Sequence, residues 1–222
     1  LAMGFKMTAA DCEILRTIAE CRLITIPQLA ILVCRNTKGL QKRLSQLIAE
    51  DLLTKTIRGP GQRRGRPERV VSLAQRGVEV LQERGLIDPH VSVEAMLGER
   101  LPPQYHQLLL NSVCVHLHHV GAVVPRLSIE FLAHNSPFLP PGYSNLSISP
   151  EPVSADGRTQ RGSRLEPDAA FSISDTTRGK TVLFFLEIDR GTETAASPKR
   201  KPTDIRQKLL NYGICFDTCA YK

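Results

Sequence analysis

Tryptophan is absent from the 222 residues and aromatic side chains make up only 5 % of them. No basic amphipathic helix carries exposed aromatics, which argues against a membrane surface as the partner. No apolar run reaches the roughly 18 residues that cross a bilayer, and no signal-peptide stretch opens the chain. A soluble, cytoplasmic protein without a membrane partner is expected. None of the cysteines, Cys12, Cys21, Cys34, Cys114, Cys215 and Cys219, stands in a Cys-x-x-Cys pair, so a disulfide framework is not expected. Cys114, His116, His118 and His119 lie close together, yet no second pair at ligand spacing completes a zinc tetrad. Internal repeats are also missing.

What is present is a globular composition, 41 % hydrophobic and 23 % charged, with a formal charge of +7. The charge is lopsided. Residues 1–84 hold 15 Lys and Arg against 8 Asp and Glu, whereas residues 85–222 hold 14 of each. A basic module beside a neutral one points to a polyanion as partner of the first, with nucleic acid the leading candidate.

The basic module reads as a chain of capped helices. Thr8 and Asp11 form a capping pair ahead of Ile14, Leu15, Ile18 and Cys21 at helical spacing. Thr25, Pro27 and Gln28 start a second helix, and Asn36 caps a third. On that third helix Leu40, Leu44, Leu47 and Ile48 face inward, while Lys38, Gln41, Lys42 and Ser45 face outward. A hairpin follows, from Leu53–Arg58 to Glu68–Leu73, and then a helix near residues 75–84. The order resembles a winged helix-turn-helix, in which the third helix enters the major groove and the hairpin reaches the backbone. The tip concentrates Arg58, Arg63, Arg64 and Arg66 among glycines, a composition suited to phosphate contact or minor-groove insertion. The plainer reading of the Lys38/Lys42 row is a solvated helix face, and winged modules also serve as protein-docking units.

Beyond Gly85 the pattern lapses until a long helix over Tyr105–Val120, and the Pro- and Ser-rich stretch 137–164 reads as a long loop. Two apolar runs, Ala169–Ile173 and Thr181–Leu186, then flank a polar turn centred on Thr177 and Arg178. In such a hairpin, cross-strand partners have numbers summing to 355, so Asp168 falls opposite Glu187. Asp189 shares the face of Glu187 if the strand continues. Gathered carboxylates repel one another unless a cation or protons neutralise them, and all-oxygen ligands suit Mg²⁺ or Mn²⁺. The alternative is that these acids end strands at the solvent or pair with Arg164, Arg190 or Arg206.

Glu166-Pro167-Asp168 followed by Glu187-Ile188-Asp189 resembles the signature of the PD-(D/E)-x-K nuclease superfamily. The resemblance implies Asp168 and Glu187 as metal ligands, with Asp189 a further candidate, in a metal-dependent endonuclease. Asp189 stands where that family has its lysine, and Lys208 on a following helix is the best-placed substitute, ahead of Lys199 and Lys201.

A second resemblance spans most of the chain. Asp11-Cys12-Glu13-Ile14-Leu15, Gln28-Leu29, Pro167-Asp168-Ala169-Ala170-Phe171 and Leu186-Glu187-Ile188-Asp189-Arg190-Gly191-Thr192-Glu193, ahead of Lys208 and Tyr212, resemble the replication-relaxation family of plasmid and mobile-element proteins. It implies an accessory protein of DNA replication, relaxation or mobilisation, with duplex DNA and other replication or mobilisation proteins as partners. A transcriptional regulator or interaction adaptor is the other class weighed.

The expected fold is therefore α/β in two domains. A winged helix-turn-helix occupies residues 5–86, a linker 87–104, and a restriction-endonuclease-like domain with a mixed sheet 105–222. The last of these is truncated if the strand read at Cys215–Tyr221 is only beginning.

Overall fold

The computed structural model describes residues 5–57, 69–97, 104–139, 165–189 and 205–217. Helix α1 (Ala9–Cys21) opens on a complete capping box, the Thr8 hydroxyl accepting from the Asp11 N–H and the Asp11 carboxylate accepting from the Thr8 N–H. A short strand β1 (Leu23–Thr25) runs into α2 (Ile26–Leu32), capped in the same reciprocal way by Thr25 and Gln28. Asn36 caps α3 (Thr37–Ala49), accepting from the Gly39 N–H at 2.8 Å. Each cap satisfies amides that would otherwise lack partners, so the local sequence sets where each helix begins.

The hairpin β2 (Leu53–Ile57) and β3 (Arg69–Leu73) follows, then α4 (Gln75–Glu83) and α5 (Val93–Met96). Sheet order is β1-β3-β2, antiparallel, with Leu23 opposite Ser72 and Leu53 opposite Leu73. Helix, strand, two helices and a hairpin paired back onto the first strand make a winged-helix topology. Its core is aliphatic: Ile14, Leu15, Ile18, Leu29, Leu47 and Val71 are all fully buried. Gly77 is required where α4 crosses the hairpin, since a Cβ there would lie 2.1 Å from the Leu52 carbonyl oxygen.

Of the segment 87–104 expected as a linker, residues 87–97 carry α5, and Ile87 and Met96 belong to the first core, 5 % and 0 % exposed. Helix α6 (Gln104–Val123) then starts the second layer. It leads to β4 (Leu127–Ala133), β5 (Ala169–Asp175), β6 (Lys180–Leu186) and α7 (Ile205–Asp217). The sheet order is β4-β5-β6, and every pairing among the described residues is antiparallel. This corrects the expected mixed sheet, because the strand recruited beside β5 is the preceding hairpin-like partner β4, which needs no crossover. Residues 215–217 are the last turn of α7 and not the start of a strand. α7 lays Tyr212 and Phe216 against Phe185, with ring centroids 6.1 Å and 6.2 Å away. α6 covers the opposite face, where Leu110 packs on Ala133 and Ala169.

The two layers are joined by specific bonds. The Asn111 amide donates to the carbonyl oxygens of Cys21 and Leu23, and the Gln28 amide donates to the Leu108 carbonyl and the Ser112 hydroxyl. Leu23, Val70 and Leu108 form a small apolar cluster between sheet and helix. Among the described residues no helix is long and apolar enough to cross a membrane.

Candidate functional site

Two regions bring chemistry to the surface. On α3, burial of Leu40, Leu44 and Leu47 turns Lys38, Gln41, Lys42 and Ser45 outward, and all four are exposed. Neither lysine takes a carboxylate partner among the described residues. Arg43, one position on, is used internally: its Nε donates to Asp11 at 2.6 Å. The hydroxyl of Ser45 donates back to the Gln41 carbonyl at 3.0 Å. Arg58, Arg63, Arg64 and Arg66 of the hairpin tip lie outside the described residues. On the hairpin strands Lys55 and Arg69 are exposed, Arg69 opposite Ile57 at the end nearer the tip.

The second region lies where β5 and β6 meet α6 and α7. The hairpin register follows the rule read from the sequence, Ala169 opposite Leu186 and Asp175 opposite Lys180. The paired ladder ends at Ala169 and Leu186; beyond it the Asp168 N–H donates to the Leu186 carbonyl at 2.9 Å, one residue out of that register, and the charges of Asp168 and Glu187 both act on Tyr212. The Asp168 Oδ2 accepts from the Ile188 N–H at 2.7 Å and meets His106 Nε2 at 3.1 Å. Glu187 accepts from Lys208 Nζ at 3.1 Å and from the Tyr212 hydroxyl at 2.8 Å. Lys208 is thus brought to the acidic pair, while the regular strand ends at Leu186 and leaves Asp189 exposed beyond it. Burial pushes the Tyr212 phenol far above its usual range. Its hydrogen bond to Glu187 and the charges of Glu187 and Asp168 push it further the same way.

As they stand, these carboxylates are turned to protein donors, and no three His, Cys, Asp or Glu side chains among the described residues form a metal-holding group. The same holds for Cys114, His116, His118 and His119, of which Cys114 is half-buried and the three histidines are exposed on α6.

The residues that sequence reasoning missed are histidines. His106 comes from the first turn of α6 and His134 from the residue after β4. Together with Asn135, Glu166, Asp168 and Gln107 they line a cleft of about 250 Å³. His134 is fixed by its backbone N–H, which donates to the Asp168 carbonyl at 2.8 Å, and by its ring Nδ1, 3.1 Å from the Pro167 carbonyl oxygen. Had β4 been recognised as the partner of β5, its register would have placed His134 beside Asp168; for His106, 62 residues away, the sequence carries no such signal. A larger and mostly apolar hollow of about 900 Å³ lies between α1, α4 and α6, lined by Cys12, Arg16, Arg84, Cys114 and Phe138 among others. It contains neither Asp168 nor Glu187.

Comparison with known proteins completes the description. Residues 15–212 match the sequence model of one family, described as replication-relaxation. The crystal structure of a MarR family transcriptional regulator from Silicibacter pomeroyi DSS is similar with 20 % identity and a TM-score of 0.32, over 53 % of this chain and 69 % of that one. No curated protein matches the chain.

Proposed function

The chain belongs to the replication-relaxation family, and on that premise we propose that it is a duplex-DNA-binding accessory protein of a plasmid or other mobile element. Its task is in replication, relaxation or mobilisation of that DNA, alongside other proteins of the same process. The observation that carries the reading is the exposed Lys38, Gln41, Lys42 and Ser45 row on the third helix of a winged-helix topology, with both ammonium groups unpaired among the described residues. Such a face supplies ammonium groups for phosphate and amide and hydroxyl groups for base edges. Arg58, Arg63, Arg64 and Arg66 are assigned to phosphate or the minor groove by their composition and their place between β2 and β3.

Anisotropy titration of a labelled duplex over a range of salt tests this. Each neutralised phosphate contributes about 0.9 to the slope of log K against log salt, so Lys38→Ala with Lys42→Ala should flatten it by about 1.8. An unchanged slope would remove α3 from the interface. Absence of any duplex retention at moderate salt would favour the protein-docking or adaptor role.

A second reading, hydrolysis of a phosphodiester, is favoured by one observation: Lys208 reaches Glu187, while Asp168 lines a polar cleft. Asp168, Glu187 and Lys208 are the residues assigned to it. Mg²⁺ or Mn²⁺ is the cofactor to supply, with Asp168, Glu187 and Asp189 as the oxygen donors on offer. Incubating supercoiled plasmid with either ion tests it, with Asp168→Ala as the control. Equal nicking by both proteins would identify a contaminant.

A further inference from the structure

We infer that β6 is the interface with a second copy of this chain, the two strands pairing antiparallel about a two-fold axis at Leu183. In the second sheet β6 is the outermost strand, bonded to β5 on one side only among the described residues. An open edge is a template for a further strand, and proteins commonly blunt it with a charge, a proline or a bulge. The two edges of this sheet differ in that respect. β4 carries the exposed Glu130 at its centre. β6 has none of these devices: residues 181–186 include no charge and no proline, and the register against β5 runs unbroken from Lys180 to Leu186.

The exposed apolar residues fall at the middle of that bare edge. Val182, Leu183 and Phe184 are 54 %, 49 % and 39 % exposed, and Leu183 is the central residue of the strand Lys180–Leu186. A patch centred on the midpoint of its strand is complementary to itself under a two-fold rotation, which is what an isologous dimer requires. An axis normal to the sheet keeps each face on its own side, so opposed side chains must belong to the same alternate set. The register that pairs all of Lys180–Leu186 meets this condition. It sets Leu183 against its own counterpart, and Val182 against Phe184 of the second copy on both sides of the axis. The Phe184 ring is already stacked on Phe171, with centroids 4.8 Å apart, so it meets the valine with little rotamer freedom left to lose.

Charge at the two ends of β6 selects the antiparallel orientation. Arg178 and Lys180 stand at its start, Glu187 and Asp189 just past its end. Antiparallel pairing brings the basic start of each copy to the acidic end of the other, whereas parallel pairing would bring like to like. Helix α7 lies over Phe185 through Tyr212 and Phe216, and the rotation puts it on the same face of the joined sheet as its counterpart. Leu209 and Leu210, both exposed, are carried by this helix next to the seam. The interface belongs to the second layer and stands apart from both nucleic-acid readings.

Sedimentation equilibrium of the full chain from about 1 to about 100 µM tests the interface. The wild type should reach twice 24.6 kDa. Leu183→Lys and Leu183→Glu each set like charges directly opposite at the axis and should each weaken self-association about a hundredfold. An equimolar mixture of the two should restore the dimer, since the opposed charges then attract. Far-UV dichroism of each variant checks that it is folded. On mild oxidation Leu183→Cys should cross-link to its own counterpart more than the wild type does. Thr181→Cys should not, because it lies opposite Phe185 and about 13 Å from its counterpart. A wild type that stays at 24.6 kDa throughout, or that exceeds two chains, overturns the proposal. So does a dimer that both charged variants keep, a mixture of folded variants that fails to restore it, or cross-linking through Thr181→Cys in place of Leu183→Cys. Where a charged variant does not fold, the cysteine pair decides alone.

Discussion

Asp11 shows how a single buried charge is tolerated and what it contributes. Its side chain is 1 % exposed, and burial alone would raise its pKa. The Arg43 guanidinium and the Thr8 hydroxyl and amide overcome that and bring it down from 3.8 to about 2. A carboxyl depressed on folding adds stability that is present above its unfolded value and lost as pH falls through the folded one. Here the window runs from about pH 4 down to about pH 2, and the shift corresponds to roughly 2 kcal/mol. Asp11→Asn should therefore cost about 2 kcal/mol at neutral pH in urea denaturation, with the deficit closing as pH approaches 2. A deficit constant over that range would mean that capping and packing, and not the ion pair, carry the effect. The capping half of this role was legible from Thr8 and Asp11 alone. The bond to Arg43 was not, because it joins elements 32 residues apart.

At the scale of elements, the caps and periodicities translated almost directly. Local bonds decide helix starts, and those lie within a few residues of sequence. The hairpin register was equally legible, since a tight turn fixes every pair that follows it. β1 and β4 were not read, each for its own reason. β1 is three residues between two helices, too short for an alternation to show, and it is a strand only because β3 accepts it. β4 alternates, but its partner β5 lies beyond a long intervening stretch. α4 depends on a contact that composition cannot reveal. Gly77 passes the Leu52 carbonyl oxygen, which also accepts from the Ala74 N–H at 3.1 Å. Gly77→Ala should force the helix off the hairpin and cost about 3 kcal/mol in chemical denaturation, despite the better helix propensity of alanine. A neutral or stabilising substitution would show that α4 does not rest where described.

For the whole molecule, the question is whether the two layers act as one. Besides the Asn111 and Gln28 bonds, the Glu20 carboxylate accepts from the Ala133 N–H at 3.0 Å and from the Ser136 hydroxyl. Burial raises its pKa, while those two donors and the nearby Arg22 charge act in the opposite sense. Arg22 in turn donates to the carbonyl oxygens of Ala95 and Asn135, and burial brings its pKa down to about 10. Each joint leaves buried polar groups without partners when it opens, which couples the layers energetically. Asn111→Ala should cost about 2 kcal/mol, since two buried carbonyls lose their donor. Among the described residues the tyrosines are Tyr105 on α6 and Tyr212 on α7, so their fluorescence reports on the second layer while far-UV dichroism reports on both. The two midpoints should shift together; a shift in one signal alone would show that the layers unfold independently.

The sequence by itself determined the helix starts, the hairpin register that brings Asp168 and Glu187 to the same end of β5 and β6, the outward row of Lys38 and Lys42, and the family. All of these follow from patterns within one element or one turn, or from motifs in the order they stand. Only the tertiary structure decided that Arg43 is spent on Asp11 while Lys38 and Lys42 take no carboxylate among the described residues, that Lys208 and Tyr212 take Glu187, and that His106 and His134 meet at one cleft. Those choices depend on helices docking across a sheet, where distance along the chain no longer measures distance in space.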